Sequence, residues 1–337
     1  TLSASQTADN NTAVGRNAGL VVTSGAQNTI IGAYSGDAIT SGSNNTIVGY
    51  EAAGKLTTGG DNVAIGRAAL LDTTTSSGNV AIGVEALENN TAAENTAVGK
   101  HSLRANTSGT SNVGVGLNAL LSNTTGIQNV AIGSGASDAQ TTANNVVAVG
   151  YNANTDADAN QVTAIGSQAL ANNTEVDNTA VGYAALFTCT SGTPNNAFGV
   201  QALENLTTGI RNQAFGVNAL HDVTTGTANN AFGHDCYSTI TTGDYNVAIG
   251  SSNQVNSVDA QSRITLGFNV TNTTDNSVFI GAGGNFISNT FTSNATWSHS
   301  SDGRLKENVN EDTLGLSFIN DLRPVTYNWK KQKDVDA

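Results

Sequence analysis

Residues 212–226 read NQAFGVNALHDVTTG, and this stretch decides the fold because variants of it recur along most of the chain. In the common pattern, Asn is followed two residues later by Ala, then by an aliphatic residue or Phe, and then by Gly. Ala and Leu come three and four residues after that glycine, and a polar stretch often ends in Thr-Thr-Gly. We call the glycine after the aliphatic residue or Phe the repeat glycine, and positions in each copy are counted from it.

The repeat glycine recurs at nearly constant spacing. Twelve of the sixteen intervals between successive repeat glycines are 17 residues long, three are 16 and the last is 14. Seventeen residues are too few for a helical hairpin and too polar for a leucine-rich repeat, but they suit one coil of a parallel β-solenoid. Seventeen coils stacked at about 4.8 Å would span roughly 80 Å. The repeat glycines are Gly15, Gly32, Gly49, Gly66, Gly83, Gly99, Gly116, Gly133, Gly150, Gly166, Gly182, Gly199, Gly216, Gly233, Gly250, Gly267 and Gly281.

Each position of the repeat predicts one column of stacked side chains. Apolar and small residues over three to five positions, bracketed by Asn and Gly, predict a short strand with one buried face, and we expect the aliphatic residues to stack inside. The repeat glycine is expected at a tight corner or at positive φ. The Asn column is predicted to be a structural hydrogen-bonded ladder and not a ligand-binding row, because a residue that recurs in almost every coil is expected to stabilise each coil.

A column of leucines four residues after the repeat glycine leaves two alternatives open. So thin a coil encloses little core, and the leucines either fill that interior or face partner chains. We expect an assembly of three chains, a homotrimer, in which this leucine face helps to form the contact. The leucines are Leu70, Leu87, Leu120, Leu170, Leu186, Leu203 and Leu220.

Composition narrows the classes of partner. The net charge is -13, and residues 1–300 contain 19 acidic and 7 basic side chains. Such a surface repels nucleic acid and anionic lipid, so neither is an expected partner. No stretch approaches the roughly 20 apolar residues of a membrane helix and no secretion signal is visible, so membrane insertion is not expected. Because the chain begins with Thr and lacks Met, we expect it to be part of a longer product.

A shift in composition near residue 300 predicts a domain boundary. Residues 301–337 contain 6 basic and 7 acidic side chains in a short stretch. The repeat weakens before this point, since Arg263 and Ser277 replace Asn in its column. We therefore predict a repetitive β-solenoid shaft over residues 1–281, a connector over 282–300, and a short α/β segment over 301–337. The overall fold class is all-β.

The repeats resemble those of fibrous surface proteins. Residues 178–182 read NTAVG and residues 62–66 read NVAIG. These runs resemble the β-roll heads of trimeric autotransporter adhesins, and more closely the shafts of phage tail fibres. The resemblance implies a homotrimer in a virion tail fibre, assembled in the host cytoplasm, that contacts a host surface glycan or protein receptor. A bacterial trimeric adhesin on the cell surface is the alternative, and a polysaccharide depolymerase is a further one.

The C-terminal stretch carries a second resemblance. Residues 301–308 read SDGRLKEN and residues 322–329 read LRPVTYNW. Together and in this order they resemble the start of the intramolecular chaperone domain of phage tail spikes and fibres, of the peptidase S74 type. The resemblance implies trimer assembly followed by a single autoproteolytic cleavage. Carried onto this chain, it makes Ser301 the nucleophile, Lys306 the base and Ser300-Ser301 the scissile bond, with support from Asp302, Arg304 and Asn308.

Two interpretations of this motif stay open. A lysine can activate a serine hydroxyl if burial lowers the lysine pKa towards neutrality. Alternatively, Ser301 and Asp302 only cap a helix that begins with residues 304–309, since Ser and Asp are favoured at the start of a helix. The resemblance also implies a domain longer than 37 residues, so we expect the chaperone to be incomplete in this chain.

The remaining candidates predict no further chemistry. Cys189 and Cys236 lie three coils apart, about 14 Å at the usual strand spacing and beyond the ~7 Å reach of a disulfide, so free thiols are expected, as suits a reducing cytosol. Residues 234–237, His-Asp-Cys-Tyr, lack a second ligand pair, so no metal is expected. Residues 114–116, Gly-Val-Gly, lack the rest of a phosphate-binding motif. No cofactor is predicted.

Overall fold

A computed structural model describes residues 9–155, 158–292 and 298–299. In these ranges the secondary structure consists of short strands and turns, without a helix. The chain divides into two units, Thr1–Ser300 and Ser301–Ala337. All the coils lie in the first unit.

The strands recur once per repeat as far as residue 251. They are β1 (Thr12–Val14), β2 (Thr29–Ile31), β3 (Thr46–Val48), β4 (Val63–Ile65), β5 (Val80–Ile82), β6 (Thr96–Val98), β7 (Val113–Val115), β8 (Val130–Ile132), β9 (Val147–Val149), β10 (Thr163–Ile165), β11 (Thr179–Val181), β12 (Asn196–Phe198), β13 (Gln213–Phe215), β14 (Asn230–Phe232), β15 (Val247–Ser251), β16 (Gln254–Val255), β17 (Arg263–Phe268), β18 (Thr271–Asn272), β19 (Ser277–Ala282), β20 (Asn285–Thr290) and β21 (Ser298–His299).

Successive coils stack in register. Strands β1 to β15, then β17 and β19, pair in parallel one after another, so that Ala197 lies beside Ala214 and Ala214 beside Ala231. The stack therefore makes about 16 turns, and the predicted parallel β-solenoid of 17-residue coils is confirmed. The regular spacing of the repeat glycines follows from this register, because each coil must present the same residue at the same corner.

The three residues of each short strand divide between the interior and the surface. The middle residue, usually Ala, is buried, whereas the aliphatic residue before the repeat glycine points outwards; Ile132 and Ile165 are 41% and 39% exposed. The prediction that these aliphatic residues stack inside is therefore wrong. Side chains alternate along a strand, so only the middle residue of three can enter the coil while its neighbours face out.

The leucine column fills the interior. Leu70, Leu120 and Leu170 are fully buried within the single chain, beside the Ala that precedes each of them. The expectation that these leucines help to form a contact between chains is wrong, because no part of their surface is left for a partner. Burying a Leu side chain contributes roughly 1.5–3 kcal/mol, so this column is a main source of stability in each coil.

Tight turns place side-chain-bearing residues in left-handed conformations. In the coil of Gly116, Asn118, Leu120 and Gln128 have φ of 57°, 52° and 59°. A coil of 17 residues must reverse direction within a few peptides, and a left-handed residue achieves this. The conformation costs about 1–2 kcal/mol, which burial of the leucine offsets.

The repeat glycines stack directly on one another, as the prediction of a tight corner at positive φ requires. Gly116 has a φ of +137°, and a Cβ built on it would lie 2.4 Å from the carbonyl oxygen of Gly133 in the next coil. Only a residue without a side chain allows the two backbones to approach this closely.

The Asn column forms a ladder through the interior, as predicted. The side-chain oxygen of Asn112 accepts the backbone N–H of Asn129 at 3.0 Å. Its Nδ2 donates to the carbonyl of Gly126 at 2.8 Å and to the side-chain oxygen of Asn95 at 3.2 Å. Each Asn therefore pairs with buried backbone groups of the next coil, which are out of reach of bulk water. Val146 and Val162 interrupt the column.

Replacing Asn112 with alanine is expected to lower the free energy of unfolding by about 1–3 kcal/mol, because the Asn129 N–H loses its acceptor in a dry interior. The Gly126 carbonyl keeps one side-chain donor, Asn123 at 3.2 Å. Denaturant unfolding followed by circular dichroism measures the loss. Asn89→Ala is the control, since Asn89 lies on the surface of the preceding coil. Equal losses in the two variants would contradict a structural role for the ladder.

The solenoid ends in an antiparallel hairpin. Strand β20 pairs with β19 in antiparallel register, with Val278 opposite Asn289, and β21 pairs in turn with β20. The rings of Phe279 and Phe286 stack with centroids 4.5 Å apart. Strand β20 falls within the predicted connector, where no strand was predicted. It covers the backbone edge of β19, which would otherwise be open to pairing with other chains.

Candidate functional site

The residues predicted to carry self-cleavage lie outside the described part of the chain. These are Ser301 and Lys306, the supporting Asp302, Arg304 and Asn308, and the Ser300-Ser301 bond. Their roles stay predictions, as does the alternative helix that begins with residues 304–309. Within the described residues, the candidate functional features are surfaces of the solenoid.

One surface of the solenoid is an uncharged sheet that carries a continuous apolar column. We call it the apolar strand face and define it by the residues one and three positions before each repeat glycine, the two outward positions of every short strand. The first position is aliphatic or Phe in every coil, and the second is Val, Ile or Thr except at Asn196, Gln213 and Asn230. Its most exposed members are Val14, Ile31, Ile132, Ile165, Phe198, Phe232, Ile249 and Ile280.

Three phenylalanines make the apolar strand face especially regular in its C-terminal half. The rings of Phe198 and Phe215 stack with centroids 4.8 Å apart, and those of Phe215 and Phe232 with centroids 4.9 Å apart. The spacing equals the distance between neighbouring strands, so the coil register itself aligns the rings. The outer edges of these rings stay available to a partner surface.

The chemistry of the apolar strand face favours another protein sheet as its cover. Parallel sheets in proteins are almost always covered on both faces, and here only the inner face is covered by the coil. Neither outward position carries a charged residue in any coil, although the chain has a net charge of -13. Acidic chains can therefore meet along this face without bringing carboxylates together.

Most charged side chains of the solenoid lie elsewhere, one to six residues after a repeat glycine. Glu85 contacts Arg67, His101 and Arg104, and Arg104 also pairs with Glu88 at 2.7 Å. The hydrogen bond from Arg67 lowers the pKa of Glu85. These pairs link three successive coils across the surface, and exposed pairs of this kind contribute only about 0–1 kcal/mol each.

A second polar cluster lies in later coils, again within six residues after a repeat glycine. The two ring nitrogens of His221 lie 2.8 Å from a carboxylate oxygen of Glu204 and 2.6 Å from one of Asp222. In the next coil, His234 pairs with Asp235 at 3.0 Å. In the described ranges, no group of three or more His, Cys, Asp or Glu side chains is arranged to hold a metal ion.

Both cysteines are buried free thiols, as predicted. Burial raises the pKa of Cys189 to about 11 and also raises the pKa of Cys236. The Cys189 thiol donates to the carbonyl of Gly192 at 3.4 Å. Both residues therefore act as small interior side chains and not as nucleophiles.

The interior contains a second amide ladder, which was not predicted from the sequence. Asn106 donates to the side-chain oxygen of Asn90 at 2.7 Å, and Asn123 donates to that of Asn106 at 2.8 Å. All three side chains are fully buried, seven residues after a repeat glycine. The signal was present in the sequence as Asn at the same position of three successive copies.

The match to a known family covers the C-terminal segment. Residues 301–337 match the family model described as chaperone of endosialidase. The searches of curated proteins and of solved structures gave no match to this chain. Among the described residues, no helix has the length and hydrophobicity of a membrane span. A β-solenoid of about 16 turns, followed in sequence by a segment that matches the chaperone of endosialidase, is consistent with a phage tail fibre.

Proposed function

We propose that this chain is a structural and host-contacting segment of a viral tail fibre. The observation that carries the proposal is the order of its two parts, a long solenoid followed by a segment that matches the chaperone of endosialidase. The solenoid supplies length and rigidity, because each coil hydrogen-bonds the next throughout the stack. A bacterial trimeric adhesin would share the repeats, but the chaperone match favours the fibre.

The proposed fibre is a homotrimer held together along the apolar strand face. This surface extends over the whole stack, is free of charge and is uncovered in the single chain. Covering it removes apolar area from water at roughly 25 cal/mol per Å². Assembly in the host cytoplasm is compatible with two cysteines that are buried and unpaired. The C-terminal segment is proposed to bring the chains together.

Self-cleavage at the Ser300-Ser301 bond completes the proposal. With Ser301 as nucleophile and Lys306 as base, we expect the full-length product to appear as two chains, the first ending at Ser300. In Ser301→Ala the product stays intact, because alanine has no hydroxyl to attack the bond. Intact mass spectrometry under denaturing conditions measures the chain masses of the unmodified product and of the Ser301→Ala variant.

Ser317→Ala is the matched control for this experiment, since it removes a hydroxyl from the same segment at a position that the motif does not assign. We expect it to cleave as the unmodified product does. If the unmodified product and Ser301→Ala differ only by the mass of the one oxygen atom that the substitution removes, self-cleavage at this bond is refuted.

A further inference from the structure

A cleft of about 420 Å³ opens on the surface of the coils that contain Gly32, Gly49 and Gly66. It is lined by two aromatic rings, two carboxylates and one amine, which come from Tyr34, Asp37, Tyr50, Glu51 and Lys55. These residues lie one to six positions after a repeat glycine, whereas the apolar strand face lies before it. The cleft and the apolar strand face therefore have no residue in common.

The aromatic pair gives the cleft a rigid apolar wall. The rings of Tyr34 and Tyr50 meet edge to face, with centroids 6.1 Å apart and an angle of 79° between their planes. The guanidinium of Arg16 lies 5.2 Å from the centre of the Tyr34 ring and helps to fix its position. Tyr50 is 49% exposed, so part of its ring surface is open to a ligand.

The polar groups of the cleft are mainly acceptors of hydrogen bonds. Burial, and then the nearby Glu51, raise the pKa of Asp37. A hydrogen bond to Glu51 raises the pKa of the Tyr50 hydroxyl. The amine of Lys55 is held by Asp72 at 2.8 Å. With the lysine charge compensated, the two carboxylates favour a ligand that donates hydroxyl hydrogen bonds and carries no negative charge.

The absence of a side chain at Gly54 keeps the cleft open. Gly54 lies five residues after its repeat glycine, a position that Leu71 and Phe187 occupy in other coils. A Cβ at Gly54 would lie 3.2 Å from Cδ1 of Leu71, and its backbone is not left-handed. A larger residue is therefore compatible with the coil after a small shift of Leu71, and it would fill the cleft.

We propose that this cleft binds a neutral pyranose unit of a glycan, an inference that rests on the proposed host-contacting function. The weakly polar C–H face of the sugar packs on the Tyr50 ring, and its hydroxyls donate to Asp37 and Glu51. Anionic sugars are disfavoured by the same carboxylates. Single-site sugar binding in so open a cleft is expected to be weak, with a Kd on the order of 1–10 mM.

Saturation-transfer NMR of the full chain tests the proposal. The neutral sugars are methyl α-mannoside, methyl β-galactoside and N-acetylglucosamine, and the anionic sugar is sialyllactose. We expect at least one neutral sugar to bind, and Gly54→Leu and Tyr50→Ala each to weaken that binding at least tenfold. Tyr183→Ala is the matched control, because Tyr183 has the same position in its coil and is 50% exposed. It should bind as the unmodified chain does.

Binding of sialyllactose alone, or of none of the sugars, would overturn the proposal. Neutral-sugar binding that persists in Gly54→Leu and Tyr50→Ala would also overturn it, because the sugar would then occupy another site. Circular dichroism of each variant shows whether the coils are still folded. The fibre function is tested separately by the cleavage masses and by the number of chains in the assembly, so its failure is distinguishable from failure of the cleft.

Discussion

Gly116→Ala is expected to lower the free energy of unfolding of the solenoid by roughly 2–6 kcal/mol. Its Cβ would lie 2.4 Å from the carbonyl oxygen of Gly133 and 2.6 Å from its carbonyl carbon, both of which are backbone atoms that cannot rotate away. The φ of +137° adds backbone strain. The two coils must move apart, which weakens the hydrogen bonds between them on either side of the glycine.

Thermal and denaturant unfolding of Gly116→Ala beside Gly284→Ala measure this effect. Gly284 lies in the turn of the terminal hairpin, where a Cβ would meet no atom within 4 Å. Its replacement is expected to change the free energy of unfolding by less than about 0.5 kcal/mol. Equal stability of the two variants would contradict the claim that close stacking of the coils requires glycine at this corner.

A charged pair of substitutions on the apolar strand face is expected to abolish assembly. Ile132→Asp with Ile165→Asp places two carboxylates per chain on a surface that is proposed to be buried between copies. Each buried and unpaired carboxylate costs several kcal/mol, and the copies also repel one another. The single chain should still fold, because both isoleucines point outwards. Sedimentation velocity should show a change from trimer to monomer.

The control for this experiment is Val21→Asp with Ile127→Asp. These side chains are 39% and 38% exposed, close to the 41% and 39% of Ile132 and Ile165, but they lie outside the apolar strand face. The control should keep the sedimentation coefficient of the unmodified chain. If both double variants dissociated, or neither did, the copies would not meet along the proposed face.

The sequence predicted the features that depend on one coil and its repetition. The repeat glycines, the Asn ladder and the parallel stack follow from spacing and residue type alone. The direction of each side chain does not follow as directly. Ile132 and Leu120 are both apolar and recur with the same period, yet one is 41% exposed and the other is fully buried. Which of them enters the interior depends on the turns, including the left-handed residues that the sequence does not mark.

One candidate site could be predicted from the sequence and the other could not. Ser301 and Lys306 were identified from a local motif, and their chemistry is still a prediction. The cleft beside Tyr50 could not be predicted, because it depends on contacts between residues of three successive coils. Tyr34, Tyr50 and Gly54 are each unremarkable in the sequence, and only the coil register brings them to one surface.

The number of chains in the native particle tests the central claim most directly. Light scattering gives the native molar mass, and denaturing mass spectrometry gives the mass per chain, which is 34.2 kDa for the intact sequence. If the apolar strand face is buried between copies in a trimeric fibre, the ratio of native mass to chain mass will be three. A ratio of one at all accessible concentrations would contradict the account.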